Sequence, residues 1–223
     1  MYIHLLQPHG WPATTPLRRA DGHSMKSDKY HLIIEAAITV FAKQGYYQTT
    51  VAQIAREAGV ADGTIYLYFK NKEDILLQIF SFRAKQIFDR FYEAVAEAEL
   101  SEEKLRSLIR SHLEAFQQDR GLAVVFQSES RQVRKSDALT EQINQISKQY
   151  RNLIGEIVEK GQDEGFMRKD LYLGLVKRFV LGAVEEVINT WVLAGGRYDL
   201  VSMADPLVDL CMRGIGTGKK STS

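Results

Sequence analysis

TVAQIAREAGVADGTIYLYF, residues Thr50 to Phe69, reads as two short helices joined by a glycine turn. Thr50 is placed as an N-cap. Gln53, three residues later, completes a capping-box pattern ahead of the apolar positions Val51, Ile54, Ala55 and Ala58. Gly59 can take the left-handed backbone that ends a helix, and Val60 can fill the angle between the two helices. The second helix starts near Asp62. At about 100° per residue, Ile65 and Phe69 share an inward face, Gly63, Thr64 and Leu67 point away, and Tyr66 and Tyr68 lie on the flanks. An outward face of small side chains fits the major groove of duplex DNA. Two packed helices of any helical protein would share the bare pattern, so the next segment matters. KNKEDIL, Lys70 to Leu76, sets Lys70 and Lys72 beside two tyrosine hydroxyls, with Asn71 as a cap for a further helix. Ammonium groups, phenol donors and helix-terminal amides are the groups that clamp phosphates.

GVADGTIYLYFKNKEDIL, Gly59 to Leu76, resembles the DNA-binding signature of the TetR family of bacterial transcriptional repressors. The lead helix YHLIIEAAITVFAKQGYYQTT, Tyr30 to Thr50, is similar to that family as well. The resemblance implies that Thr50, Thr64, Tyr66, Tyr68 and Lys72 occupy positions that touch DNA, mostly its backbone, while Ile65 and Phe69 are core. Tyr68 departs from the histidine found there in many members. Gly63, Leu67 and Lys70 complete the expected DNA-facing set.

Composition alone would not have suggested nucleic acid, because the formal net charge is only +1. The charge is local: between Lys26 and Lys72, Lys26, Lys29, Lys43, Arg56, Lys70 and Lys72 stand against Asp28, Glu35, Glu57 and Asp62. Dimerisation would double that excess. The single cysteine, Cys211, excludes an intramolecular disulfide and fits a reducing cytoplasm, where it reads as a small buried hydrophobe or, alternatively, a redox sensor. No stretch approaches the roughly 18–20 apolar residues of a membrane span, and the N-terminus lacks the pattern of a secretory signal.

Residues 1–24 hold three of the four prolines and three of the five histidines without apolar periodicity, which predicts a disordered extension. Its histidines, His4, His9 and His23, are too scattered for a metal site. Residues 25–72 form the predicted DNA-binding domain, 73–216 a helical body and 217–223 a flexible tail. In the body, an apolar stripe from Ile75 to Val95 predicts a long connecting helix. Ser101 is read as the cap of the next helix, with Leu105, Leu108, Ile109, Leu113 and Phe116 as its buried side. Further helices are expected at about 120–134, 137–164, 171–194 and 204–216. No alternating strand pattern interrupts them, so the fold class is all-α: an N-terminal three-helix domain with a helix-turn-helix, then a C-terminal helical domain for ligand binding and dimerisation.

The helix near 171–194 carries a wide apolar side that includes Phe179, Val180, Val184 and Val187, and Leu207 and Cys211 follow on the terminal helix. Periodicity alone leaves core and interface equally open. The TetR resemblance implies that these two helices pair with their symmetry mates in a four-helix bundle. Two reading heads must then lie about 34 Å apart, one turn of DNA. Catalysis has little to recruit. His31 and His112 are the only histidines in the folded part, Glu102/Glu103 and Glu185/Glu186 point to different helix faces, and GIGTGKK lacks the spacing of a phosphate loop. The chain is read as no enzyme, with no cofactor and no metal.

FQSESRQVRK, Phe126 to Lys135, is the most basic piece of the body. A solvated charged turn explains it. A dock for an anionic head group, with a tail entering the apolar interior, explains it too. LAVVFQSESRQ, Leu122 to Gln132, and EEVINTWVLAGGRYDL, Glu185 to Leu200, are similar to the TetR-type regulators of fatty-acid degradation, which use long-chain acyl-CoA as inducer. That resemblance implies a homodimeric repressor of palindromic operator DNA with Arg131, Gln132, Arg134, Asn189 and Trp191 as ligand contacts. On residues alone, Trp191 is more simply core, and other hydrophobic inducers or a CoA-thioester-binding helical protein remain as alternatives.

Overall fold

The computed structural model describes residues 23–132 and 136–218, with side chains over 28–128 and 136–218. Of the extension expected over 1–24, residues 1–22 lie outside the described residues and His23 and Ser24 instead open α1; of the tail expected over 217–223, residues 219–223 lie outside them. Among the described residues nine α-helices run in order: α1 His23–Gln44, α2 Val51–Glu57, α3 Asp62–Ile65, α4 Lys72–Glu97, α5 Ser101–Gln118, α6 Arg120–Gln132, α7 Asp137–Asp163, α8 Leu173–Leu193 and α9 Ala204–Ile215. Among the described residues there is no strand, only an isolated bridge between Met167 and Gly216.

α1, α2 and α3 close around Ile34, Phe41, Ile54, Ile65 and Phe69, all buried. α4 leaves this small domain and enters the body, where α5 and α7 pack against it and α8 and α9 pack on α5 and on each other. The buried row Ile75, Ile79, Ile87, Phe88, Phe91 and Val95 shows why α4 joins the two halves: one helical stripe is apolar over its whole length. α6 returns to touch α1. A Cβ on Gly121 would lie 3.4 Å from Ile38 Cγ2, so the two helices approach closely where no side chain separates them. Arg83 of α4 pins this junction, pairing with Glu35 of α1 at 3.2 Å and with Asp119, whose other carboxylate oxygen accepts the Leu122 amide at the start of α6.

Ser101 corrects one expectation. It is the first residue of α5 rather than its cap, and the helix end is satisfied from elsewhere: Glu103 reaches back to the Leu100 amide at 3.3 Å, and Glu164, just past the end of α7, accepts the Ser101 amide at 3.0 Å. A carboxylate at a helix start satisfies orphan amides and meets the positive end of the helix dipole.

Candidate functional site

The capping box at the head of α2 is formed in both directions. The Gln53 amide donates to Thr50 Oγ1 at 3.2 Å and the Thr50 amide to Gln53 Oε1 at 2.8 Å. Gly59 sits at φ 65, where a side chain would be strained. The turn therefore holds α3 at a set angle. Ile65 and Phe69 are anchored below, while Tyr66 and Leu67 stand 60% and 81% exposed, Thr64 is half-buried and Gly63 is exposed. Gly63 has no left-handed backbone, and a Cβ there would meet nothing within 4 Å. Glycine in a helix costs about 0.5–1 kcal/mol relative to alanine. Nothing within the protomer calls for it. An outside body that approaches the backbone would.

Lys72 is placed differently from its expected role. Its ammonium donates to the carbonyls of Tyr46 and Thr49, both at 2.7 Å, and lies 4.4 Å from the centroid of the Tyr46 ring. It ties the start of α4 to the α1–α2 turn, so its protons point inward instead of toward a phosphate. The amide of Lys70 is also taken, donating to Asp74 Oδ2 at 2.8 Å. Asn71 Oδ1 in turn accepts the Asp74 amide at 2.8 Å as the expected cap. The side chains of Lys70 and Thr50 remain exposed on the same surface as Tyr66, and Tyr68 is half-buried beside them.

The body encloses a cavity of about 270 Å³ between α4, α5, α6, α7 and α8. Phe80, Phe88, Phe91, Phe116 and Phe126 supply most of its apolar wall, and Gln127, Ser147 and Glu185 are less buried members of the lining. His112 and Tyr150 face it from α5 and α7. Burial pushes the His112 imidazole down to about 3 and raises the Tyr150 phenol, so both are neutral at physiological pH. Trp191 does not reach this cavity: it is buried in the protomer, and its indole N–H donates to the Tyr198 carbonyl at 2.8 Å. That contact corrects the ligand role expected of it. Asn189 is half-buried and is not part of the lining. Arg131 and Gln132 lie on the last turn of α6, with side chains outside the described ones, and Arg134 and Lys135 lie outside the described residues.

The two faces of α8 divide the expected interface. Val180, Val184, Leu207 and Cys211 are buried within the protomer and leave no surface for a partner, which corrects their assignment. Phe179 is 48% exposed, and Leu175, Leu193 and Leu210 on the same outer side of α8 and α9 are more exposed still. Val187 is half-buried between the two faces.

Residues 33–79 match the family model of bacterial regulatory proteins of the tetR family, and residues 80–214 match that of the YsiA-like protein, C-terminal region. The fatty acid metabolism regulator protein of Bacillus subtilis is 40% identical over 190 residues, which is 85% of this chain and 97% of that protein. The chain belongs to the TetR family. Two solved structures share the fold of this TetR-family chain over 83% of its length, each at 39% identity. One is the fatty acid degradation regulator FadR of Bacillus halodurans, with TM-score 0.79 and 95% of that chain covered. The other is the transcriptional regulator FadR of Bacillus subtilis in complex with stearoyl-CoA, with TM-score 0.77 and 99% covered.

An apolar interior was expected, but the residues that line it are the part that sequence reading missed. Its lining comes from five helices spread over residues 80–185. One local signal existed: His112 falls among Leu105, Leu108, Ile109, Leu113 and Phe116 on the buried side of α5, a polar ring in an apolar stripe.

Proposed function

We propose that this chain is a homodimeric repressor that binds a palindromic operator, controls genes of fatty-acid degradation, and releases DNA when a long-chain acyl-CoA binds in the helical body. The observation that carries this is the aromatic-lined cavity, in a chain 39% identical over most of its length to a regulator solved with stearoyl-CoA. Gly63, Thr64 and Leu67 read the groove, and Thr50, Tyr66, Tyr68 and Lys70 hold the backbone. Arg131, Gln132 and Arg134 take the nucleotide phosphates. The outer face of α8 and α9, built on Leu175, Phe179, Leu193 and Leu210, meets its symmetry mate.

Release requires that the ligand prefer a protomer shape in which the two heads no longer match the operator. The cavity lies near the lower end of the roughly 300–1,000 Å³ common for ligand sites. A long tail must therefore push its walls apart. Phe126, at the middle of α6, forms one wall, and the start of α6 five residues earlier rests on α1 through Gly121 and Ile38. The pressure is thus delivered to the DNA-reading half.

Titrating acyl-CoAs of graded length against the complex with DNA from upstream of the gene, by fluorescence anisotropy, tests the proposal. Long-chain esters should dissociate the complex at micromolar levels while the matching free acids do so poorly, and Arg131→Ala should raise the concentration needed without weakening DNA binding itself. Equal potency of the free acid, or an Arg131→Ala titration identical to wild type, refutes the anionic dock. Release by another hydrophobic compound alone refutes the acyl-CoA assignment.

A further inference from the structure

His112 and Tyr150 face the cavity, each with a buried polar atom that has no hydrogen-bond partner. Their exposures are 8% and 3%, their ring centroids are 4.9 Å apart, and both rings pack on Phe91. His112 Nδ1 and the Tyr150 hydroxyl each lack a hydrogen-bond partner. A buried polar group without a partner is destabilising, whereas an apolar group of the same shape is close to neutral. For a cavity meant only for hydrocarbon, phenylalanine at both positions would serve better. We propose that His112 and Tyr150 are a polar reading point that hydrogen-bonds a carbonyl oxygen of the acyl ligand. This deepens the acyl-CoA reading and rests on it.

The choice of a carbonyl follows from donor chemistry. The phenol has one O–H, and a neutral imidazole carries one N–H on either nitrogen, so both groups can donate toward the same point. A carbonyl oxygen has two lone pairs and accepts both. The imidazole stays neutral because burial holds its pKa far below physiological pH, and the Glu185 carboxylate at the exposed side of the lining, acting on Tyr150, favours a phenol that keeps its proton. Position narrows the source. Tyr150 lies three residues beyond Ser147 on α7, about 4.5 Å along the helix axis. Under the acyl-CoA reading the head group stays outside, beyond Gln127 and Ser147, and a group about one turn of α7 away meets the first few carbons of the chain. The oxygen is therefore the thioester carbonyl or a 3-oxo group, two sources of one chemistry.

Direct binding to the full-length protein by isothermal titration distinguishes them. The probes are palmitoyl-CoA, its thioether S-hexadecyl-CoA, which has no carbonyl, and 3-oxohexadecanoyl-CoA, each against wild type, Tyr150→Phe and His112→Phe. If the thioester is read, wild type should bind palmitoyl-CoA at least roughly ten-fold more tightly than the thioether, and Tyr150→Phe should erase that ratio while leaving thioether affinity unchanged. If the 3-oxo group is read, wild type should gain a similar factor for 3-oxohexadecanoyl-CoA over palmitoyl-CoA, and Tyr150→Phe should lose it. Ratios that are the same in wild type and in both variants overturn the reading point and leave the acyl-CoA ligand standing. Failure of wild type to bind any of the three overturns both. Tyr150→Phe removes one oxygen and keeps the ring, and a thermal unfolding scan on each variant shows that the fold is retained.

Discussion

Replacing Phe179 with alanine separates the outer face of α8 from its core face. An aromatic side chain carries about 200 Å² of surface, and 48% of this residue is exposed in the protomer, so about 100 Å² is free to be covered. At about 25 cal/mol per Å², that is about 2.5 kcal/mol from one protomer, and a two-fold axis uses the same patch twice. Alanine keeps its β-carbon, which leaves a loss of about 4 kcal/mol per dimer, or about a thousand-fold in the dimer dissociation constant. Sedimentation velocity over a wide range of protein concentration reads that shift, with thermal unfolding of the same samples as a control. The protomer also loses the buried half of the ring, worth about 2 kcal/mol, so the dimer constant rather than the melting temperature identifies the outer face. Val184→Ala is the counterpart. Val184 is fully buried, so its truncation should lower protomer stability by about 1–3 kcal/mol and leave association nearly unchanged. An unaltered dimer constant for Phe179→Ala, or a Val184→Ala variant that dissociates without losing thermal stability, would refute the division of the two faces.

Lys72→Met should lower the stability of the reading head by about 3 kcal/mol, since two carbonyls lose a charged donor, and operator and random DNA should be bound more weakly in equal proportion. A variant that keeps its melting temperature and loses only salt-dependent affinity would return Lys72 to phosphate contact. His112 stays neutral down to about pH 3 in the folded chain, against 6.5 in the unfolded one, so its contribution is complete above about pH 6.5 and declines as pH falls toward 3. Between pH 6 and 4, urea unfolding of wild type should lose about 1.4 kcal/mol per pH unit more than His112→Phe, and parallel curves would contradict the burial. Burial pushes the Cys211 thiol up to about 11, so a disulfide reagent should react with it only after unfolding, and labelling of the native protein would contradict its place in the core.

The parts legible in sequence are those set by neighbours along the chain. Thr50, Gln53 and Gly59 fix the helix-turn-helix within ten residues, and each does in space what its spacing implies. The long apolar stripe of α4 was equally plain. Lys72 was misread because its partners are backbone carbonyls more than twenty residues away, and no residue type announces a carbonyl. α8 was misread for a related reason. Its apolar side is wide enough to cover two faces, and only packing against α7 and α9 reveals that Val180 and Val184 turn inward while Leu175 and Phe179 turn out. Ser101 looked like a cap because serine is a favoured cap residue, yet the Glu164 carboxylate just past α7 took over the task.

The Lys72 clamp also has a mechanical consequence. Because it fastens the start of α4 to the α1–α2 turn, the reading helix and α4 behave as a single stiff arm. α4 has 26 residues and is therefore about 39 Å long. A tilt of about 5° pivoting at its far end, near Glu97, swings the head through about 3.4 Å, close to the spacing of one base step. In a symmetric pair the two arms swing together and the mismatch doubles. Phe88 and Phe91 lie about 9–14 Å from that pivot, so a push of about 1 Å on the cavity wall is geared up more than three-fold, into a whole base step.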